Sequence, residues 1–275
     1  MQKTYWTVGD PIDHSLSPII YNALFSSRGI DAKCEVLRVP ERDLVKVMKR
    51  AREENVSGIS VTKPDKEAII PHLDRTDEKA GDIGAVSCVV NEGGTFIGYN
   101  TDLVGFLIPA EKQLGLLRDK TVHLIGAGGV GKAITYAVRA RGGNLTIFTR
   151  ELNERTRAVT DKYKSAQYKS LSELGNSKAD LLINATDAGT NSSESVATMQ
   201  QLRNYGVAFD VVYSPEETEF LKNAKKAGCT AISGLDMLVY QAARQFRLFT
   251  GLELGQPDID LMFKVAREEL ARRQA

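Results

Sequence analysis

The sequence predicts an α/β protein of two domains, one of them a doubly wound parallel fold. Three observations carry this. Short β-rich runs alternate with helical patterns, as in βα units around parallel sheets. A glycine-rich turn, "GAGGVG" (126–131), stands between a β-rich run and a helical one. From about residue 104 to about 236 the alternation becomes regular. The division read from this is 1–103 for a first α/β domain and 104–236 for the doubly wound domain. The remaining stretch, 237–275, is helical and is expected to return and complete the first domain.

Taken in order, "TYWTVG" and "KCEVLRV" read as strands. Between them "SLSPIIYNALFSSRG" reads as a helix, with Ser17 placed to cap it, Pro18 in its first turn and Gly29 closing it. "RDLVKVMKRAREE" sets Leu44, Val47, Met48 and Ala51 on one helical face. "AVSCVVNEGGTFIGYN" reads as a hairpin turning at Gly93 and Gly94. Then "TVHLIG" is a strand, "VGKAITYAVRARGG" a helix ending in glycine and "NLTIFT" the next strand. "ADLLINAT" and "VAFDVVY" continue the series, each preceded by a helical stretch, and "LDMLVYQAARQFRLFTG" opens the helical end.

Composition excludes several classes. Lys+Arg 36 against Asp+Glu 35 gives a net charge of +1, so no electrostatic case exists for nucleic acid or an anionic membrane. Cys34, Cys88 and Cys229 form no CxxC pair or metal-ligand spacing, which suits a reducing compartment. "MQKTYWTVGDPID" has no apolar leader core and no run approaches a membrane span, so a cytoplasmic protein is expected. His14, His72 and His123 are scattered, and His123 in an apolar strand reads as packing; no metal is expected. No heptad or apolar stripe is visible, and a monomer or a homodimer is expected.

Gly126, Gly128 and Gly131 form G-x-G-x-x-G after a strand and at the start of a helix. The first permits the tight turn, the second lets backbone approach a pyrophosphate, and the third allows close helix–strand packing, as in a Rossmann dinucleotide site. The next strand ends in "LTIFTREL", where the cofactor signals conflict. Arg150 and Arg155 can meet the 2′-phosphate of NADP, whereas Glu151 favours the free ribose of NAD. In the first domain four polar clusters stand out: Ser15 and Ser17 in "DPIDHSLSP", Thr62 and Lys66 in "GISVTKPDK", Ser87 in "GAVSC", and Asn100 and Asp102 in "GYNTD". Singly each fits a cap or turn, and Asp102 can cap the helix after it. Together they suit a polyhydroxylated ligand, with a lysine beside an aspartate able to exchange a proton with an alcohol or ketone.

These motifs resemble the shikimate dehydrogenase family along nearly the whole chain: "GDPIDHSLSPIIYN" (9–22), "VTKPDK" (61–66), "GYNTDLVG" (98–105), "GAGGVGKA" (126–133), "INAT" (183–186), "DVVYSP" (210–215) and "SGLDMLVYQAARQF" (233–246). The resemblance implies an N-terminal α/β substrate-binding domain, a Rossmann-type NADP-binding domain, and reduction of 3-dehydroshikimate to shikimate with NADPH on the route to aromatic amino acids. It implies Lys66 as the acid/base group with Asp102 as its partner. It places Ser15, Ser17, Thr62, Ser87, Tyr213 and Gln241 on the substrate. Gly126, Ala127, Gly128, Gly129 and Val130 match the diphosphate loop, Thr149, Arg150 and Arg155 the adenosine end, and Val211 and Gly234 positions near the nicotinamide. The chain departs from the family at Ser60 and at Ser87-Cys88, where asparagines are usual. It departs again at Thr149-Arg150-Glu151 with Glu154, and at Asp187 and Thr190. A quinate or quinate/shikimate dehydrogenase with relaxed cofactor choice, NAD included, and a non-catalytic ligand-sensing module are the alternatives.

Overall fold

Alternating apolar runs become strands wherever both faces can be covered. The structure, a computed structural model, describes residues 2–151, 154–162, 167–190 and 192–274, with backbone only at 155, 160 and 274. It divides into two units, Met1–Asp102 with Val239–Ala275, and Leu103–Leu238.

In the first unit the order is β1 (Lys3–Gly9), α1 (Ser17–Ser27), β2 (Ala32–Arg38), α2 (Leu44–Glu53), β3 (Gly58–Val61), α3 (Asp65–Ala68), β4 (Arg75–Thr76), α4 (Glu78–Ile83), β5 (Cys88–Glu92) and β6 (Thr95–Tyr99). The sheet runs β2-β1-β3-β5-β6-β4. β1 is parallel to β2 and β3, and β5 is antiparallel to β3 and β6. The expected hairpin is present, with positive φ at Gly93 and Gly94 where a two-residue turn demands it. One sheet face packs Trp6, Val8, Ile59 and Val89 against Leu44, Met48 and Ala51 of α2. Val47 is only partly buried on that face.

The C-terminal helices belong to this unit for a visible reason. The ring of Tyr5 lies 5.2 Å from Phe25 of α1 and 4.8 Å from Phe249, and Phe25 lies 5.6 Å from Phe246. Aromatic pairs at these spacings add to the area they bury. Arg28 after α1 also pairs with Asp258 near the chain's end.

One local expectation is corrected. α1 begins at Ser17 itself, its N-cap is Leu16, and no side chain caps it. The Ser15 hydroxyl instead accepts the Ser17 N–H at 3.3 Å. Pro18 in the first turn needs no partner for a missing N–H, and Gly29 does follow the helix with φ +61°.

The second unit opens with α5 (Asp102–Leu114), of which only Asp102 belongs to the first unit. It contains β7 (Thr121–Ile125), α6 (Gly129–Ala140), β8 (Asn144–Thr149), α7 (Glu154–Lys162), β9 (Gln167–Ser170), β10 (Ala179–Asn184), α8 (Met199–Leu202), β11 (Tyr205–Asp210), α9 (Glu219–Lys226) and β12 (Thr230–Ile232). α10 (Gly234–Thr250) and α11 (Gln256–Gln274) lead back to the first unit. All described pairings are parallel, in the order β12-β11-β10-β7-β8-β9. This is the doubly wound order, with the strand sequence reversing between β7 and β10, where such sheets bind ligands. His123 is a core residue, 3% exposed, against the Phe148 ring and bonded through Nδ1 to Tyr205 Oη at 2.9 Å. Among the described residues no cluster suits a metal ion, and no helix is long and apolar enough to cross a membrane.

Candidate active site and dinucleotide cleft

β1 and β3 end side by side, and the segments leaving them form the polar end of the first unit. The close approach depends on Gly9. A Cβ there would lie 2.4 Å from Thr62 Cγ2 and 2.8 Å from the Lys63 carbonyl oxygen. Thr62 is half-buried, with its N–H donating to the Val8 carbonyl at 2.9 Å. The chain then turns into the short α3, whose second residue is Lys66. The Lys66 carbonyl accepts the Val86 N–H at 2.7 Å, tying α3 to the residues before β5.

Lys66 Nζ donates to Asp102 Oδ2 at 2.6 Å, with side chains 13% and 4% exposed. A charge-assisted bond at this depth fixes the ammonium far more firmly than a surface pair. Asp102 opens α5, but the turn is held by Asn100, whose Oδ1 accepts the Asp102 N–H at 3.1 Å. The capping alternative for Asp102 is thereby corrected: its carboxylate faces Lys66. Just before Lys66, Asp65 is fully buried, and among the described residues neither carboxylate oxygen has a hydrogen-bond partner. Burial, then the neighbouring charges of Glu41 and Asp10, push its carboxyl up to about 6.

Beside the Lys66–Asp102 pair lies a buried polar network. The Ser87 hydroxyl is 1% exposed; it accepts the Thr101 N–H at 2.8 Å and lies 3.0 Å from Thr101 Oγ1. The Ser87 carbonyl accepts the Val61 N–H at 2.9 Å and Gln245 Nε2 at 3.0 Å. Gln245 Nε2 also lies 3.0 Å from both Thr101 Oγ1 and Gln241 Oε1, and Tyr21 of α1 donates to Gln245 Oε1. Thus Thr62, Lys66, Ser87, Asp102 and Gln241 are knit together by short bonds and neighbouring backbone. Ser15 and Ser17 sit at the start of α1, 9% and 5% exposed, linked to the network through Tyr21 of the same helix. Ser87 is set inside the network, with its hydroxyl engaged by Thr101. Sequence reasoning missed Tyr21, Thr101, Gln245 and the buried state of Asp65. A signal existed for one of them, since Gln241 and Gln245 stand four apart on a helical pattern.

In the second unit Gly126, Ala127 and Gly128 follow β7, and α6 starts at Gly129. Gly126 has φ +102°, and a Cβ would meet Thr186 Cγ2 at 2.9 Å and the Ala185 oxygen at 3.0 Å. A Cβ on Gly131 would stand 2.5 Å from the Gly126 oxygen. Nothing lies within 4 Å of a Cβ built on Gly128, so this side of the loop is open. No side chain caps α6, leaving its first amides and positive dipole end for an anion. A cleft of about 960 Å³ runs from this loop past Thr149, Arg150 and Glu151 to Asp187, Thr190 and Glu194. Its shape, the backbone cradle and the helix end fit a dinucleotide.

At the far end the Thr149 hydroxyl donates to the Glu151 carbonyl at 2.8 Å, shaping the turn, while Arg150 and Glu151 are exposed. The Arg155 side chain lies outside the described residues. Val211 and Gly234 meet: a Cβ on Gly234 would stand 2.4 Å from the Val211 oxygen. Tyr213 is half-buried two residues beyond Val211. Beneath, Asn184 donates to Asp210 at 2.9 Å and Thr218 donates to its other oxygen at 2.6 Å, bracing the ends of β10 and β11.

Residues 7–89 match the substrate-binding domain model of shikimate dehydrogenase, 109–216 the shikimate/quinate 5-dehydrogenase model, and 234–262 the C-terminal domain model of shikimate 5′-dehydrogenase. A protein of Pyrococcus abyssi named shikimate dehydrogenase (NADP(+)) is 38% identical over 272 residues, covering 98% of this chain and 99% of its own. Among solved structures, a shikimate dehydrogenase in complex with NADP+ superposes with a TM-score of 0.91 at 32% identity, over 98% of this chain and 96% of its own. The Thermus thermophilus shikimate 5-dehydrogenase in complex with NADP(H) and shikimate gives 0.87 at 33% identity, over 97% and 99%.

Proposed function

The chain belongs to the shikimate dehydrogenase family, and from that premise we propose that it catalyses the reversible, NADP-dependent reduction of 3-dehydroshikimate to shikimate. The observation that carries this reading is the Lys66–Asp102 pair, 2.6 Å apart and nearly shielded from water, beside a cluster of hydroxyl and amide groups. When bound, the dinucleotide supplies the hydride for reduction and takes it back in oxidation. Lys66 gives its Nζ proton to the carbonyl oxygen as that oxygen gains charge, and recovers a proton from the alcohol in the reverse direction. Asp102 orients Lys66 through the 2.6 Å bond its Oδ2 accepts from Nζ. Ser15, Ser17, Thr62, Tyr213 and Gln241 bind the hydroxyls and carboxylate of the ring acid, with Ser87 supporting them from beneath. Gly126 to Val130 would cradle the diphosphate, Thr149, Arg150 and Arg155 would hold the adenosine end, and Val211 and Gly234 would line the nicotinamide end.

A ligand-sensing module has no need of a proton-transfer pair, and the shielded Lys66–Asp102 pair counts against it. A second reading has one specific support. Ser87 is shorter than the asparagine usual in the family and its hydroxyl is engaged by Thr101, which leaves room for a water or for the extra hydroxyl of quinate. For the cofactor, Arg150 favours NADP and Glu151 favours NAD. The reading is of a cytoplasmic enzyme acting as a monomer or homodimer. Initial rates of shikimate and quinate oxidation, each with NADP and with NAD at matched concentrations, test all of this. Highest kcat/KM with shikimate and NADP is expected; no turnover with either ring acid would overturn it.

A further inference from the structure

The hydrogen-bond directions in the network beside Lys66 are set by one group that has no choice. The Ser87 backbone carbonyl can only accept, and the side-chain nitrogen of Gln245 lies 3.0 Å from it. That nitrogen is therefore the NH2, and the Gln245 carbonyl must face the other way, where the Tyr21 hydroxyl donates to it. Burial holds the Tyr21 phenol well above its ordinary range, so it stays a donor. The second Gln245 N–H is shared between Thr101 Oγ1 and the side-chain amide of Gln241, each 3.0 Å from the nitrogen. Two NH2 groups cannot face each other at that distance, so Gln241 turns its Oε1 inward. The Thr101 hydroxyl, 3.3 Å from the same Oε1, adds a second donor to it. Among the described residues no protein group accepts from Gln241 Nε2, and Gln241 retains 9% exposure while Gln245 has none.

We propose that Gln245 is a positioning residue: it locks the Gln241 amide with its oxygen inward, so that Gln241 meets the substrate through its NH2, as a donor only. The inference rests on the functional reading above, in which Gln241 touches the ring acid. It selects ligands that offer an acceptor oxygen at that point, and it removes the adaptability that a freely flipping amide would have. Ser87, Thr101 and Tyr21 contribute by setting the direction of Gln245.

A double-mutant cycle on the full-length protein tests this, reading the Kd for shikimate by titration calorimetry and kcat with NADP. Gln245→Met keeps the volume and removes the amide. It is expected to weaken shikimate binding about 10-fold, the loss of one oriented hydrogen bond, with kcat changed less than about twofold. In a Gln241→Ala background the same substitution is expected to change Kd by less than about twofold, because the group through which it acts is gone. Tyr21→Phe, which keeps the ring and removes only the donor, gives a milder version of the same pattern and serves if Gln245→Met does not fold. An equal weakening in both backgrounds, or none in either, would overturn the proposal while leaving the enzyme's activity intact. Failure of the wild type to oxidise shikimate would remove the functional reading and this inference with it.

Discussion

At the scale of single residues, chemistry-bearing side chains divide into those whose place the sequence declares and those whose place only packing reveals. Lys66 and Asp102 are legible because a lysine after a strand and an aspartate after another recur in motifs that match a known pattern. Asp65 is not legible: an aspartate between two lysine-bearing positions reads as solvated, yet it is fully buried, and among the described residues neither oxygen is bonded. The consequence is measurable. Its folded carboxyl titrates at about 6, above the ordinary aspartate value, so the folded state binds its proton more tightly than the unfolded chain. Stability from this group is present below about pH 4 and is lost as pH rises through 6. Asp65→Asn, which mimics the protonated form, is expected to stabilise the protein by about 1–3 kcal/mol at pH 8. The gain should shrink to nothing near pH 4. Thermal unfolding of both proteins across this range checks it, and a gain independent of pH would reject the assignment. Ser17 teaches the complementary lesson. Its residue type suits a cap, but the helix starts one position early and Ser15 supplies the local bond instead.

At the scale of elements, strong periodicity survives and short pieces do not. α2, α6 and the β5–β6 hairpin follow from apolar spacing and glycine placement, because each buries a continuous face or requires positive φ. β4, β9 and β12 have two, four and three residues and are largely half-exposed, so they leave no alternation to read. They form because a neighbouring strand offers an unpaired edge. The glycine-rich turn is legible both as a motif and in its mechanics. Gly131→Ala would set a Cβ 2.5 Å from the backbone oxygen of Gly126, where nothing flexible can yield. The expected result is a loss of about 1–3 kcal/mol in stability and weakening of NADP binding by at least about 10-fold. Shikimate binding by the first unit should stay nearly unchanged. Calorimetric titration of the two ligands separates these effects, and equal weakening of both would show a general loss of structure.

At the scale of the whole molecule, regular alternation after residue 104 announced the doubly wound unit, and its strand order shows the expected reversal. The first unit was less transparent, because its sheet mixes parallel and antiparallel neighbours and draws on aromatic residues 200 or more positions away. Tyr5 and Phe249 have no local pattern that links them; only the return of the C-terminal helices does. The same return carries Gln241 and Gln245 to the network around Ser87, which is why that part of the network could not be read locally. The proposed function draws on both units: the Lys66–Asp102 pair lies in one and the cleft beside the glycine-rich loop in the other. The most direct test is the initial rate of shikimate oxidation with NADP, measured for the wild type and for Lys66→Ala. Turnover by the wild type and a fall in kcat of about 10²–10⁴-fold in the variant, with shikimate affinity changed much less, is the predicted result. Wild type and variant turning over alike, or both inactive while binding shikimate, would contradict a catalytic role for Lys66.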